Sequence, residues 1–404
     1  MIRRRDLLAA AAALPLGASA AAPASRRLVV VVCSGGWDAT YCVDPKPGIE
    51  GIDDPSIDSD PADPLDIEEV ESFSGIPIAF NNGRRPSVSA FFERWAARTT
   101  VVNGVWMGAV SHVANMRRVL TGTALEGQPD FATIASTVLA PELAIGNLDL
   151  VGMSLPGPFS SRLVRIGANG QLRTVLGTDA AYGPLAFAPD PAQSAAVSDY
   201  RTARLDRLRS ARGGTLSAAK LDSLADAMAR RPGLDAMATS LDLAALAGPS
   251  DGFDFQVALT TDLFRRDLCR VVTLASPEGW DTHTNNTVQS DNLEVLFAGL
   301  LAFTDTLESE GMLDSTTIAV VSEMTRSPRQ NAEGGKDHWP VASALLCGGG
   351  VAGGRVVGAT DNGMEPKAVN GAVPDYGNMM AGFLELVGID SEPWLPGVAP
   401  LEFG

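Results

Sequence analysis

The chain contains three histidines, His112, His283 and His338, and each stands close to a hydroxyl or a carboxylate. Ser111 precedes the first, Asp281 and Thr282 the second, and Asp337 the third. Imidazole nitrogens and carboxylate oxygens together suit a borderline divalent ion such as zinc or manganese, with calcium the harder alternative. In Asp281-Thr282-His283 an extended backbone turns both outer side chains to one side, because side chains alternate along a strand. Adjacent Asp337 and His338 diverge on a strand, but Gly334-Gly335 before them permits a loop that brings both inward. Two more carboxylates sit just past apolar runs, Asp38 after Gly35-Gly36-Trp37 and Glu323 after Ser322. These carboxylates and imidazoles together make a polar, plausible metal-binding set at the strand ends. Ser111 and His112 are the catalytic candidates: a hydroxyl at a helix start lies where a phosphate or sulfate is held, and a nearby metal makes it a nucleophile.

Each of these residues also has a structural use. Asp38 after two glycines caps a turn, and Ser111 caps the helix that follows it. Asp281 and His283 fit a surface turn, and Glu323 an ion pair with Arg326. Their joint placement argues for a shared site, because open parallel sheets bind ligands outside the carboxyl ends of their strands.

The elements that must position them alternate along the chain. Apolar, β-branched runs at 28–33, 99–102, 269–274, 316–321 and 344–347 predict strands, the first emptying into a glycine turn. Helical spacing predicts helices at 88–98, 113–120, 131–139, 255–268, 291–310 and 376–388. Alternation of this kind predicts an α/β fold, helices on both faces of a mainly parallel central sheet. Residues 44–75, rich in Asp, Pro and Gly, read as a long acidic surface loop, and the alanine-rich stretch at about 190–247 as a mainly helical insertion.

Composition narrows the functions. With 404 residues, 45% of them hydrophobic and 20% charged, the chain buries a sizeable core. A formal net charge of −17 argues against binding to a nucleic-acid backbone. The start, Arg3-Arg4-Arg5-Asp6-Leu7-Leu8 followed by an alanine-rich run to Gly17-Ala18-Ser19-Ala20, reads as a signal peptide of the twin-arginine type over residues 1–25. That apolar run is too short to span a bilayer, so no stable transmembrane anchor is expected. The expected location is periplasmic or secreted, with the twin-arginine export machinery as a partner. The four cysteines fit buried thiols, although a Cys33–Cys42 bridge is sterically open at this stage.

Taken together, these segments resemble the bacterial family called domain of unknown function 1501, itself similar to the alkaline phosphatase and sulfatase superfamily. The residues that carry the resemblance are Gly35-Gly36-Trp37-Asp38, Ser111-His112, Trp280-Asp281-Thr282-His283, Ser322-Glu323 with Arg326-Ser327-Pro328, Gly335-Lys336-Asp337-His338-Trp339-Pro340 and Gly348-Gly349-Gly350. The resemblance implies an alkaline-phosphatase-like three-layer sandwich over residues 26–404, with Asp38, Asp281, His283, Glu323, Asp337 and His338 holding divalent ions and Ser111 attacking phosphorus or sulfur. Glu323 stands where that superfamily often has aspartate. Near the C-terminal helix, where many relatives carry histidines, this chain reads Val373-Pro374-Asp375-Tyr376-Gly377. The function this implies is an exported, metal-dependent hydrolase of phosphate or sulfate esters, acting on a small-molecule or glycan ester. A non-catalytic periplasmic binding protein and an envelope assembly protein are the readings that compete with it.

Overall fold

The computed structural model describes residues 26–60, 62–165, 190–211, 215–238, 252–276 and 279–403. The signal segment at 1–25 and part of the insertion lie outside the described residues. The strands are β1 (Arg27–Val32), β2 (Glu69–Phe73), β3 (Ile76–Phe80), β4 (Thr99–Trp106), β5 (Asn147–Asp149), β6 (Leu163–Arg165), β7 (Val271–Ala275), β8 (Thr316–Val321), β9 (Thr325–Gln330), β10 (Lys336–Trp339), β11 (Val341–Gly348) and β12 (Arg355–Val357). The α-helices are α1 (Pro86–Trp95), α2 (His112–Thr121), α3 (Phe131–Leu139), α4 (Pro191–Ala211), α5 (Thr215–Ala238), α6 (Phe253–Arg265), α7 (Val288–Ser309) and α8 (Tyr376–Leu386).

Eight strands form one sheet in the order β12-β4-β11-β8-β1-β7-β5-β6. β1 lies near its middle and pairs in parallel with β7 and β8. The two-sided burial expected of this strand is visible residue by residue. Val29 and Val31 enter one apolar cluster with Phe91, Phe297 and Phe303, while Leu28, Val30 and Val32 enter another with Phe131, Met379 and Phe383. Alternating side chains thus feed helices α1, α6 and α7 on one face and α2, α3 and α8 on the other. The chain is an α/β protein with a mainly parallel central sheet between helices.

Two departures from the sequence reading matter for the site. First, β11 runs antiparallel to both β4 and β8. Its start therefore lies at the same end of the sheet as the carboxyl ends of β1, β7, β8 and β4. The β9–β10 hairpin, two short strands inside the segment between β8 and β11, precedes β11 and so lands at that end too. Second, residues 69–73 are not loop. Glu69–Phe73 pairs antiparallel with Ile76–Phe80 through Ser74 and Gly75, both at positive φ (51° and 97°), the geometry of a tight hairpin. Much of the acidic character before it is neutralised internally, with Asp66 bound to Arg84 and Glu68 to the fully buried Arg85.

All four cysteines are buried and free, so Cys33 and Cys42 are not bridged. Burial pushes the Cys33, Cys42 and Cys269 thiols up to about 12, which leaves them protonated and unreactive. Among the described residues, no helix is long and apolar enough to cross a membrane.

The aromatic cluster of Phe91, Phe92 and Phe297, with ring centroids 5.3 to 5.5 Å apart, joins α1 to α7 beneath the sheet. Phe297→Ala should therefore cost about 3–5 kcal/mol of folding stability by emptying a fully packed position. Urea denaturation measures it, and a loss below about 1 kcal/mol would contradict the packing described.

Candidate metal centre

Five segments meet at one end of the sheet. The turn after β1 carries Gly35 to Asp38, the segment after β4 leads to Ser111 and His112, the loop after β7 carries Trp280 to His283, the turn after β8 carries Ser322 and Glu323, and β10 carries Lys336 to His338. Two Gly-Trp-Asp sequences lie side by side here. Trp37 and Trp280 are buried and pack edge to face at 6.5 Å, which seats the turns that carry Asp38 and Asp281. The segments approach so closely that glycine is required at two points. A Cβ on Gly35, already at φ +117°, would lie 2.6 Å from the Asp281 nitrogen, and one on Gly335 would lie 2.0 Å from the His283 carbonyl carbon.

The three histidines converge on Asp281. His283 Nε2 and His338 Nε2 are each 3.2 Å from its Oδ1, and His112 Nε2 is 3.4 Å from its Oδ2. His283 Nε2 and His338 Nε2 are 3.0 Å apart. One ligand atom each from His112, Asp281 and His338 lies within 4.8 Å of the others.

The opposite ring nitrogens decide the tautomers. His338 Nδ1 is 2.8 Å from the Val110 carbonyl oxygen, which only accepts, so that nitrogen carries the proton. His112 Nδ1 faces the Glu323 carboxylate at 2.7 Å, and His283 Nδ1 faces Asp337 at 2.9 Å. With its Nδ1 engaged by an acceptor, each ring turns its Nε2 toward the Asp281 carboxylate, as a donor when the ring is protonated and as a lone pair when it is neutral. His112 Nε2 is a buried polar atom with no hydrogen-bond partner. Three ring nitrogens and a carboxylate this close need positive charge among them, supplied by protons on Nε2 or by a metal ion, and acceptors behind ligating imidazoles are what fix such rings for a metal.

Burial opposes the charge on Asp281, but the Arg326 guanidinium, 2.7 Å away, and the neighbouring imidazoles hold its carboxyl down at about 2. The bond to Glu323 raises His112 above the ordinary imidazole value. The bond to His283 lowers Asp337.

Of the residues named from sequence, His112, His283, His338 and Asp281 point inward together. Glu323 and Asp337 stand behind the imidazoles. Glu323 is fully buried, and its Oε1 also accepts the Gly35 backbone N–H at 2.8 Å. Glu323, a candidate ligand by sequence with an Arg326 ion pair as its structural alternative, does neither directly: Arg326 bonds Asp281, and Glu323 turns to His112. Asp337 and His338 both reach the cluster from a strand because the β9–β10 register shifts between Lys336 and His338. Ser111 is exposed at the start of α2, and its hydroxyl makes no capping bond.

Asp38 lies outside the group that converges. Its Oδ1 accepts from Thr40 N and Oγ1, and its Oδ2 from Asn286 Nδ2 at 2.9 Å and Lys336 Nζ at 2.8 Å. Four donors use its lone pairs, so the carboxylate joins the β1 turn to the hairpin instead of facing the histidines. Lys336 itself is fully buried, 5.1 Å from the Tyr41 ring, and was not singled out from sequence. Its only sequence signal is a lysine set between Gly335 and Asp337. The segment Val373–Gly377 supplies a cap: Asp375 accepts from Gly377 N and Asn378 N at the start of α8.

Lys336→Met should lower stability by about 3–5 kcal/mol, because it strands a buried carboxylate. Asp38→Asn combined with Lys336→Met should recover most of that loss. Chemical denaturation of the wild type, the two single variants and the double variant checks this, and additive losses in the double variant would mean that the two groups are not a pair.

A family model described as "Protein of unknown function (DUF1501)" matches residues 185–404, more than half of the chain. No curated protein matches the sequence. Similar solved structures include a protein in the alkaline phosphatase superfamily from Vibrio parahaemolyticus, 10% identical, covering 98% of this chain and 78% of that one with a TM-score of 0.41. The PsFucS1 sulfatase from Pseudoalteromonas sp. is 12% identical, with coverage of 97% and 73% and a TM-score of 0.38. The phosphonate monoester hydrolase of Agrobacterium radiobacter is 11% identical, with coverage of 94% and 79% and a TM-score of 0.34.

Proposed function

Since the chain belongs to the DUF1501 family, whose description assigns no activity, we propose from its own side chains that it holds a divalent metal ion on His112, His283, His338 and Asp281 and hydrolyses phosphate or sulfate esters there. The observation that carries the reading is the tautomer pattern: three Nδ1 atoms committed to acceptors and three Nε2 atoms turned to one carboxylate. Three imidazoles with one carboxylate favour zinc over calcium, which prefers oxygen ligands. Glu323 and Asp337, first read as ligands, become the groups that orient His112 and His283 and raise their basicity. Asp38 is left out of the ligand set because Lys336 neutralises it.

A bound divalent ion supplies Lewis acidity at an ester oxygen and charge neutralisation for an anionic substrate. The chain provides the rest. Asp281 is 47% exposed at its side chain, so the cluster is open on one side to a substrate. Ser111 places a free hydroxyl one residue before His112, at a helix start whose backbone N–H groups favour an anion. In this reading Ser111 Oγ attacks phosphorus or sulfur and its proton leaves with the ester oxygen as the alcohol, after which water cleaves the seryl ester, releasing phosphate or sulfate and returning a proton to Ser111. Arg326 keeps Asp281 ionised and fixed throughout. The paired arginines near the start support export of the protein by the twin-arginine route to the periplasm or beyond.

Purified protein reconstituted with zinc should hold it near stoichiometrically by elemental analysis. Asp281→Ala and His338→Ala should lose it, and Glu323→Gln should weaken affinity by about 10–100-fold. The loaded protein should turn over 4-nitrophenyl phosphate or 4-nitrophenyl sulfate, and Ser111→Ala should remove that turnover. Protein that takes up no divalent ion ends the metal reading. Full zinc occupancy without turnover of either ester leaves a binding protein, not a hydrolase.

A further inference from the structure

Beside the cluster lies a cleft of ≈ 330 Å³ that the metal reading does not use. His112, Val113 and Met116 of α2 form one wall, Met153 and Leu155 form another, and Ser34, just past β1, is the polar residue between them. The helix repeat produces the first wall, since positions one, two and five of a helix share a face. Val113 is 76% exposed although it is β-branched and apolar. Met116 and Met153 pack against the buried core beneath, so the cleft has a firm floor. Its volume is in the range of small-ligand sites. Arg117 stands at the rim, where it pairs with the exposed Glu126 at 3.1 Å.

His112 belongs to both places. One edge of its ring faces Asp281 and the other histidines, and the same residue lines the cleft. A molecule held by an anionic group at the cluster therefore has its remaining atoms directed along a surface of valine, methionine and leucine. Such a surface gives sugar hydroxyls few partners, and stripping water from them without replacement is costly. It favours an aromatic or aliphatic group, and methionines adapt to its shape.

We propose that the ester taken at this site is a monoester of an apolar alcohol or phenol, whose apolar group sits in the cleft beside His112. The inference rests on the metal reading for the anionic end and on the cleft alone for the apolar end. Ser34 and Arg117 bound the cleft, and Val113, Met116 and Met153 set the preference.

Calorimetry on the zinc-loaded full chain tests it with phenylphosphonate, methylphosphonate and glucose 6-phosphate. Phenylphosphonate should bind about tenfold or more tightly than methylphosphonate, the gain expected from burying one ring. Glucose 6-phosphate should gain nothing over methylphosphonate. Val113→Ser, at an exposed position, and Met153→Gln, of similar volume, should each shrink the phenyl advantage several-fold while zinc stoichiometry is kept. A second readout needs no metal: anilinonaphthalene sulfonate should brighten with zinc-free protein and brighten less with Met153→Gln. Zinc-loaded protein that binds both phosphonates equally, or prefers glucose 6-phosphate, overturns the proposal. So does a phenyl advantage that survives both substitutions. Protein that binds no zinc overturns the metal reading instead, and the dye measurement then decides the apolar cleft alone.

Discussion

The Arg326 guanidinium is fully buried and joins three segments that meet at this end of the sheet. Its Nε donates to the Gly36 carbonyl at 2.9 Å, its Nη1 to the Lys336 carbonyl at 3.3 Å, and its Nη2 to Asp281 Oδ1 at 2.7 Å. The first belongs to the β1 turn, the second to the hairpin and the third to the loop after β7. A planar, permanently charged fork suits this task, because its donors leave in fixed directions and cannot be neutralised by losing a proton. Burying that charge is costly unless every donor is met, so the three acceptors are as necessary to Arg326 as it is to them.

The same logic governs Lys336 and Asp38 one layer deeper. Both side chains are inaccessible to solvent, and their contact at 2.8 Å fastens the hairpin to the β1 turn from below while Arg326 fastens it from within. A hairpin held at two points presents Asp337 and His338 at a fixed height. Glu323 does the equivalent work for His112, since it also binds Gly35 N and so ties helix α2 to the β1 turn. Charge in this region is therefore layered. Fully paired ions lie underneath, and half-exposed imidazoles and Asp281 lie above them, open to solvent on one side.

Much of the frame was legible from sequence because β1, β8 and the helices follow simple periodicities, and the residues just past apolar runs do gather at one end of the sheet. What was hidden depended on direction and partner. The run 341–348 is equally apolar whichever way it points, so no pattern within it declares β11 antiparallel. That direction is what brings a segment preceding a strand to the same end as segments that follow strands. The exchange of partners at Glu323 and Arg326 was likewise hidden, because adjacency in sequence suggests a pair while the turn after β8 sends the two side chains apart. Asp38 was misleading for the opposite reason. An aspartate after Gly-Gly-Trp has the sequence context of a ligand, and only the fold shows that Lys336 and Asn286 already fill its oxygens.

These constraints also explain why so few side chains suffice. Asp281 is the one acidic group to which all three Nε2 atoms turn, and Arg326 holds one of its oxygens while His112 faces the other. Arg326 cannot be displaced without breaking its bonds to Gly36 and Lys336, so the orientation of Asp281 is set by the sheet and not by what binds above it. The imidazoles are fixed from behind by Glu323, Asp337 and the Val110 carbonyl, which belong to three different segments. A site assembled in this way is organised before any ligand arrives. Its side chains need no rearrangement to act together, an advantage that a flexible set of the same residues would not possess.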